Sequence, residues 1–312
     1  MSIVLEARNL RVEYGMFVAV PDLSLQLSAD NLLGLIGPNG AGKTTTLKAI
    51  AGLLPCAAGS VKVLGNEVEP GDPRTKACIG FAPDSPPIYE EITVADFLRF
   101  IGRAYGISSD MTDERIDFWL EQLWLADRRD KKIKSLSRGM RQRLTIARTL
   151  LPNPTLVLLD EPAAGLDPAG RAQFRKLLGN LRDQGKALIV SSHILADLDE
   201  YCTHIAIMQA GQIIRYGTVA QVVAGKDDNR CRYDVTLAVP LPGTKRILEE
   251  IPTLTQVEVH GRKISFEFEH DAQAAADLLR TLIHRGLPIA DFGPAAHDLE
   301  QAYLRTGIKQ VD

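Results

Sequence analysis

The run Gly37-Pro-Asn-Gly-Ala-Gly42-Lys43-Thr44 constrains this 312-residue chain more than any other feature. It matches the spacing G-x-x-x-x-G-K-[ST] and lies between an apolar run, Leu32 to Ile36, and a segment with helical character, Thr44 to Ala51. Glycines let the backbone curl so that several N–H groups converge on one phosphate chain, and the helix start that follows adds partial positive charge. Lys43 is then placed to reach the β- and γ-phosphates, and the Thr44 hydroxyl to ligate Mg²⁺. With Thr45 added, the expected nucleotide-binding set is Gly37, Pro38, Asn39, Gly40, Ala41, Gly42, Lys43, Thr44 and Thr45. A strand, a phosphate loop and a helix in that order belong to an α/β core.

Two further apolar runs, Leu156-Val-Leu-Leu159 and Ala187-Leu-Ile-Val190, have the length and composition of strands buried on both faces. The first ends in Asp160-Glu161, which puts two carboxylates at the edge where α/β sheets bind ligands. Asp160 is expected to hold Mg²⁺, directly or through water. Glu161 is expected to orient and deprotonate the water that attacks the γ-phosphate. The second run ends in Ser191-Ser192-His193 at the same edge, so His193 is a candidate to hydrogen-bond the γ-phosphate and that water.

Composition narrows the class. Lys and Arg number 36 against 39 Asp and Glu, a net charge of −3, which argues against a dedicated nucleic-acid binder with its dense cationic face. With 45% hydrophobic and 24% charged residues the chain is neither disordered nor of low complexity, and it contains no 18-residue apolar run that could cross a bilayer. Residues Met1 to Arg11 do not read as a signal peptide, so the cytosol is the expected compartment. The four scattered cysteines, Cys56, Cys78, Cys202 and Cys231, form no C-x-x-C pair and no disulfide framework.

A polar run, Gly225-Lys-Asp-Asp-Asn-Arg230, interrupts the pattern and sets the expected boundary between domains 1–224 and 225–312. Within the first, a helical insertion is expected over about 92–151: Thr93 and Asp96 have capping-box spacing. There Ile116, Trp119, Leu120, Leu123 and Trp124 form a helical stripe that reads as core packing. In the second, Tyr233 to Val239 reads as a strand and Thr244 to Ile251 as a helix. Val257/Val259 and Ile264/Phe266/Phe268 read as a hairpin, and a helix from Asp271 follows with Ala272, Ala275, Ala276, Leu279 and Ile283 on one face. A strand near Ile289 to Phe292 completes a βαββαβ, ferredoxin-like order, with a last helix near Asp298 to Arg305.

Leu136-Ser137-Arg138-Gly139-Met140, about ninety residues after the phosphate loop and about twenty before Asp160, gives these motifs a family resemblance. From about Ile3 to Val223 the chain resembles the ATP-binding subunits of ABC transporters, whose signature usually begins Leu-Ser-Gly-Gly-Gln. The resemblance implies a P-loop NTPase with an ABC-type β-subdomain and helical subdomain, followed here by a small C-terminal α+β domain. It implies an ATP- and Mg²⁺-dependent homodimer that clamps two ATP molecules head to tail. Ser137 and Gly139 of one chain would touch the γ-phosphate held by the other, Tyr14 would stack on adenine, and Asp167 in Gly165-Leu-Asp167 would lie across the dimer interface. Where the family commonly has Gln at the metal, this chain has Asp84, a candidate ligand with a shorter, charged arm near Asp160 and Glu161.

The acidic Asp84, the Leu-Ser-x-Gly-Met signature and a C-terminal segment like Asp298-Leu-Glu-Gln-Ala-Tyr-Leu304 resemble the ABC-2, exporter-type branch. That implies a separate multi-span permease, met through the helical insertion and the loop Asp84 to Glu91, and a place on the cytoplasmic face of the membrane. A competing reading is a soluble ABC-family ATPase acting on ribosomes or DNA. Such proteins usually carry a second cassette, a long coiled-coil insertion or zinc cysteine pairs, none of which is present in this sequence. The C-terminal domain reads as a packing or dimer-bracing appendage more readily than as a small-molecule sensor, and substrate choice is left to the permease.

Overall fold

A computed structural model describes residues 2–85, 89–192, 198, 201–224, 230–269 and 272–294. The chain divides into two compact units, one covering Met1–Tyr216 and the other Gly217–Gly307. Among the described residues no helix is long and apolar enough to cross a membrane.

The first unit opens with a long antiparallel hairpin, β1 (Ile3–Tyr14) and β2 (Phe17–Ser28), which joins β4 (Ala58–Val63) and β5 (Asn66–Glu67) in the order β2-β1-β4-β5. The second sheet contains β3 (Leu32–Ile36), β6 (Ile79–Ala82), β7 (Leu156–Asp160), β8 (Ala187–Ser192), β9 (His204–Gln209) and β10 (Gln212–Thr218), ordered β10-β9-β3-β8-β7-β6. Strands β9, β3, β8, β7 and β6 pair in parallel. Every residue of β3, β7 and β8 is buried, the burial on both faces that continuous apolar runs require. Leu10, Val20, Leu33, Leu35, Leu158 and Ile189 share one apolar cluster, which Leu47, Ala49 and Ile50 of α1 (Lys43–Ile50) join.

Helices α2 (Pro73–Cys78), α3 (Val94–Ala104), α4 (Ser109–Gln122), α5 (Arg138–Leu150) and α6 (Pro168–Asp183) complete the unit as described. Thr93 caps α3 as its spacing predicts: its hydroxyl oxygen accepts the Asp96 N–H at 3.1 Å and its hydroxyl donates to the Asp96 carboxylate at 2.7 Å. In α4, Ile116, Trp119 and Leu120 are buried, but the stripe does not reach Trp124. The helix has already ended at Gln122 in a Schellman turn, with Leu125 N–H bonded to Leu120 O and Trp124 N–H to Glu121 O. Trp124 takes the left-handed position of that turn (φ 56°), is 40% exposed, and stands 5.8 Å from the Arg143 guanidinium.

The second unit carries α7 (Val219–Ala224), β11 (Arg230–Leu237), α8 (Thr244–Glu249), β12 (Thr255–His260), β13 (Lys263–Glu269), α9 (Ala272–His284) and β14 (Ile289–Pro294). From β11 onward the order is βαββαβ, and the antiparallel sheet runs β12-β13-β11-β14, with the two strands contiguous to each helix crossing apart. Tyr233, Val235, Ile264, Phe266 and Phe268 face Leu248, Leu278 and Leu282 in one core, and the Tyr233 ring stacks on Phe266 at 6.2 Å. The buried face of α9 is Ala275, Leu278 and Leu282; Ile283, expected on it, is 55% exposed. The doublets Leu278-Leu279 and Leu282-Ile283 admit two helical phases one residue apart, and packing against the sheet selects the other one. The boundary residues 225–229, Asp271 and the last expected helix, near Asp298 to Arg305, lie outside the described residues. Cys56 is exposed, Cys78 half-buried and Cys202 buried, all as free thiols.

Candidate active site

Parallel pairing gathers the loops after β3, β6, β7 and β8 at one sheet edge. Ile36 pairs with Ser192, Asp160 with Ser191, and Ala82 with Leu159. Residues as far as 156 positions apart in the chain therefore leave the sheet side by side, at the crevice in which open α/β sheets hold ligands.

The phosphate loop turns back through Gly42, which caps α1 at φ 98°. Only glycine takes that conformation without strain, and a Cβ there would also stand 3.2 Å from the Ala19 carbonyl of β2. At Gly37 a Cβ would fall 2.4 Å from the Met208 carbonyl, so close packing rather than turn geometry excludes a side chain. Ala41 N–H bonds Pro38 O at 3.1 Å, and Thr46 N–H is bonded to Gly42 O at 2.8 Å. The earlier amides of the helix start have no intrahelical acceptor, which is the property that suits a helix N-terminus to anions.

Lys43 is 7% exposed and its ammonium curls over the loop, donating to Gly37 O at 2.6 Å and Pro38 O at 3.3 Å, with Glu161 Oε1 at 3.8 Å. Burial pushes its pKa below the ordinary lysine value, against the pull of the Glu161 and Asp160 carboxylates. Across the cavity Thr44 Oγ1 donates to Asp160 Oδ2 at 2.8 Å, and Ser191 Oγ, fully buried, donates to Asp160 Oδ1 at 2.6 Å. The same Ser191 oxygen accepts the Glu161 N–H at 3.0 Å. Glu161 has φ 47°, a left-handed backbone that a residue with a side chain adopts at a cost of about 1–3 kcal/mol and that concentrates at functional turns. Ser191 thus ties the strand-end carboxylate to the strained turn that carries Glu161.

These groups line a cavity of about 370 Å³, formed by the run Pro38 to Thr45, by Asp84, Asp160 and Glu161, and by Tyr14, Phe17 and Ala19 of the hairpin. Thr44 and Asp160 offer a hydroxyl and a carboxylate oxygen from two separate elements, hard donors that suit Mg²⁺ beside a phosphate chain, so the residues fit that ion. Asp84 shares the cavity wall but bonds its neighbour, Ser85 Oγ, at 3.3 Å. Among the described residues no three His, Cys, Asp or Glu side chains gather as a metal cluster.

Gly37 and the residues expected to act on a second chain's nucleotide or across a dimer interface do not line this cavity. Gly37 is buried behind the loop, its carbonyl turned to Lys43. Ser137 caps α5, its hydroxyl oxygen accepting Met140 N–H at 3.3 Å, and Gly139 packs with its Cα side toward the Gly165 carbonyl. Asp167 caps α6 by accepting Gly170 N–H at 2.9 Å. None of Ser137, Gly139 and Asp167 lines the phosphate cavity of its own chain; Leu136 and Arg138 instead face a separate cavity of about 340 Å³. His193 lies outside the described residues. Sequence reasoning assigned no role to Phe17, Ala19 or Ser191. The first two were detectable as strand neighbours across the Gly15-Met16 turn from Tyr14, whereas nothing in the sequence marks Ser191 as a bridge.

Comparison with known proteins agrees with this geometry. A family model described as ABC transporter matches residues 20–164. The Nod factor export ATP-binding protein I of Cupriavidus metallidurans is 35% identical over 223 residues, 72% of this chain and 74% of that protein. The linearmycin resistance ATP-binding protein LnrL of Bacillus subtilis is 33% identical over 307 residues, 96% and 97% of the two chains. Among solved structures, an ATP-binding subunit of an ABC transporter superposes with a TM-score of 0.66 at 30% identity, covering 70% of this chain and 91% of that one. A nucleotide-free ATP-binding cassette from an ABC transporter gives 0.62 at 26%, covering 69% and 91%.

Proposed function

Since the chain belongs to the ATP-binding subunits of ABC transporters and is an ATPase, we propose that it drives an exporter of the ABC-2 type through a separate membrane permease. In this reading two copies close around two ATP molecules and hydrolysis reopens them. The observation that carries it is the division of the site. Lys43, Thr44, Asp160 and Glu161 share one cavity, whereas Ser137 and Asp167 cap helices and Gly139 sits in the first turn of α5, none of them lining it; on this reading a second chain completes the site. The relatives' names, one for Nod factor export and one for linearmycin resistance, support the outward direction.

The loop amides and Lys43 bind and orient the triphosphate. Thr44 and Asp160 hold Mg²⁺, which when bound neutralises charge on the phosphate oxygens. Glu161, held by Ser191 at its backbone, orients the attacking water and takes its proton as the terminal phosphoryl group leaves ADP. His193 is assigned to the γ-phosphate, Tyr14 to the base and Asp167 to communication between the two sites. The permease meets the helical subdomain and the loop from Asp84, which places the subunit on the cytoplasmic face of the membrane.

Two variants test this reading. Lys43→Ala is expected to abolish ATP turnover. Glu161→Gln is expected to elute with ATP at about twice the 34.2 kDa chain mass. A Glu161→Gln protein that stays monomeric in saturating ATP refutes the shared site, and recovery of ribosomes in place of any multi-span protein on affinity purification refutes the exporter assignment.

A further inference from the structure

The hairpin tip above the phosphate loop presents two aromatic rings, not one. Tyr14 and Phe17 are paired residues of β1 and β2, and both line the phosphate cavity. Residues directly opposite on antiparallel strands share a face and start about 5 Å apart, close enough for rings to touch. Yet neither ring makes an aromatic contact among the described residues, and they stay 47% and 66% exposed. Ordinary packing of a hairpin tip would have brought them together. Two large apolar faces are instead left open toward a cavity whose other end binds phosphate.

The register sets the order. Ala19 of β2 stands against the phosphate loop, its carbonyl 3.2 Å from the Cβ position of Gly42. Phe17 lies two residues nearer the hairpin turn, past the β-bulge at Ala19, and lines the same cavity. Reading outward, the wall offers a phosphate loop, a methyl group and then a ring, which is the sequence of triphosphate, sugar and base in a nucleotide. At the ring end, the only side-chain polar atom among Tyr14, Phe17 and Ala19 is the Tyr14 hydroxyl, so that end holds a base by its face and hardly reads its edge.

We propose that Phe17 is a second base-stacking residue, which with Tyr14 forms an apolar shelf that selects nucleotides by ring area, purine over pyrimidine, without separating adenine from guanine. This rests on the reading above that the cavity takes ATP.

The test is calorimetric titration of the full chain with Mg²⁺ and ATP, GTP, CTP or inorganic tripolyphosphate. For the wild type, ATP and GTP affinities should agree within about threefold and CTP should bind at least about fivefold more weakly. Phe17→Ala should weaken ATP and GTP by about 5- to 150-fold, the range for loss of one base–aromatic stack, while tripolyphosphate changes less than about twofold. Phe17→Tyr should keep ATP affinity within about threefold. The proposal is overturned if Phe17→Ala binds ATP as the wild type does, if tripolyphosphate weakens as much as ATP, or if the wild type separates ATP from GTP by more than about twentyfold. Failure of the wild type to bind any nucleoside triphosphate would refute the ATPase reading itself.

Discussion

Replacing Ser191 by alanine probes the least visible part of the site. The hydroxyl makes two bonds in a place without solvent, one to the Asp160 carboxylate at 2.6 Å and one from the Glu161 amide at 3.0 Å. A hydrogen bond to a charged group contributes about 1.5–3 kcal/mol, and a buried amide left without an acceptor costs about 1–3 kcal/mol. The two overlap, so a net loss of about 3 kcal/mol is expected. For a unit of this size each kcal/mol lowers the melting temperature by about 2–4 °C, which gives a fall of about 6–12 °C in calorimetry. The functional effect is separable from the structural one. Asp160 is the proposed Mg²⁺ ligand, and loss of a partner that orients such a ligand typically costs about 10- to 100-fold in metal affinity or activity. The Mg²⁺ concentration for half-maximal ATP turnover should therefore rise at a temperature where the variant is fully folded. A variant that melts within about 1 °C of the wild type with an unchanged Mg²⁺ requirement would show that the bridge holds neither the carboxylate nor the turn.

Two other substitutions test separate physical claims. Lys43 has its pKa lowered by burial, so the folded state binds fewer protons than the unfolded chain between its depressed value and the ordinary 10.5. Its charge penalises the fold below that window and the penalty disappears above it. Lys43→Met should accordingly melt above the wild type at neutral pH while losing ATP turnover, and the gap should narrow as pH rises toward 10.5; a gap independent of pH would rule out burial as the cause. At Trp124, whose φ of 56° suits glycine, Trp124→Gly should be more stable to urea than Trp124→Ala by about 1 kcal/mol, and equal stabilities would mean the turn carries no backbone strain.

The buried strands were legible because solvent exclusion on both faces forces continuous apolar runs, as in Leu32 to Ile36 and Ala187 to Val190. The phosphate loop was legible because its glycines answer to steric limits that no other residue meets, seen at Gly42 and Gly37. What the sequence did not reveal depended on spatial neighbours. Ser191 reads as an ordinary serine until β8 is set between β3 and β7. Trp124 keeps helical spacing with Leu120, but spacing does not record that a Schellman turn has already ended the helix. In α9 the two phases of the leucine doublets are equally apolar, and only the sheet beneath selects between them.

The placement of β3 between β8 and β9 also has a consequence for synthesis. The phosphate loop is complete by Thr45, yet the strands that flank its own strand begin at Ala187 and His204, about 140 and 160 residues later. At roughly 5–20 residues per second, the loop waits on the order of ten seconds or more at the ribosome before a sheet exists to hold it. Nucleotide can therefore stabilise the assembled site only in a chain made past Gln209, where β9 ends. A nascent chain halted before that point carries the phosphate-binding motif without its site, with the apolar face of β3 left for a chaperone to cover.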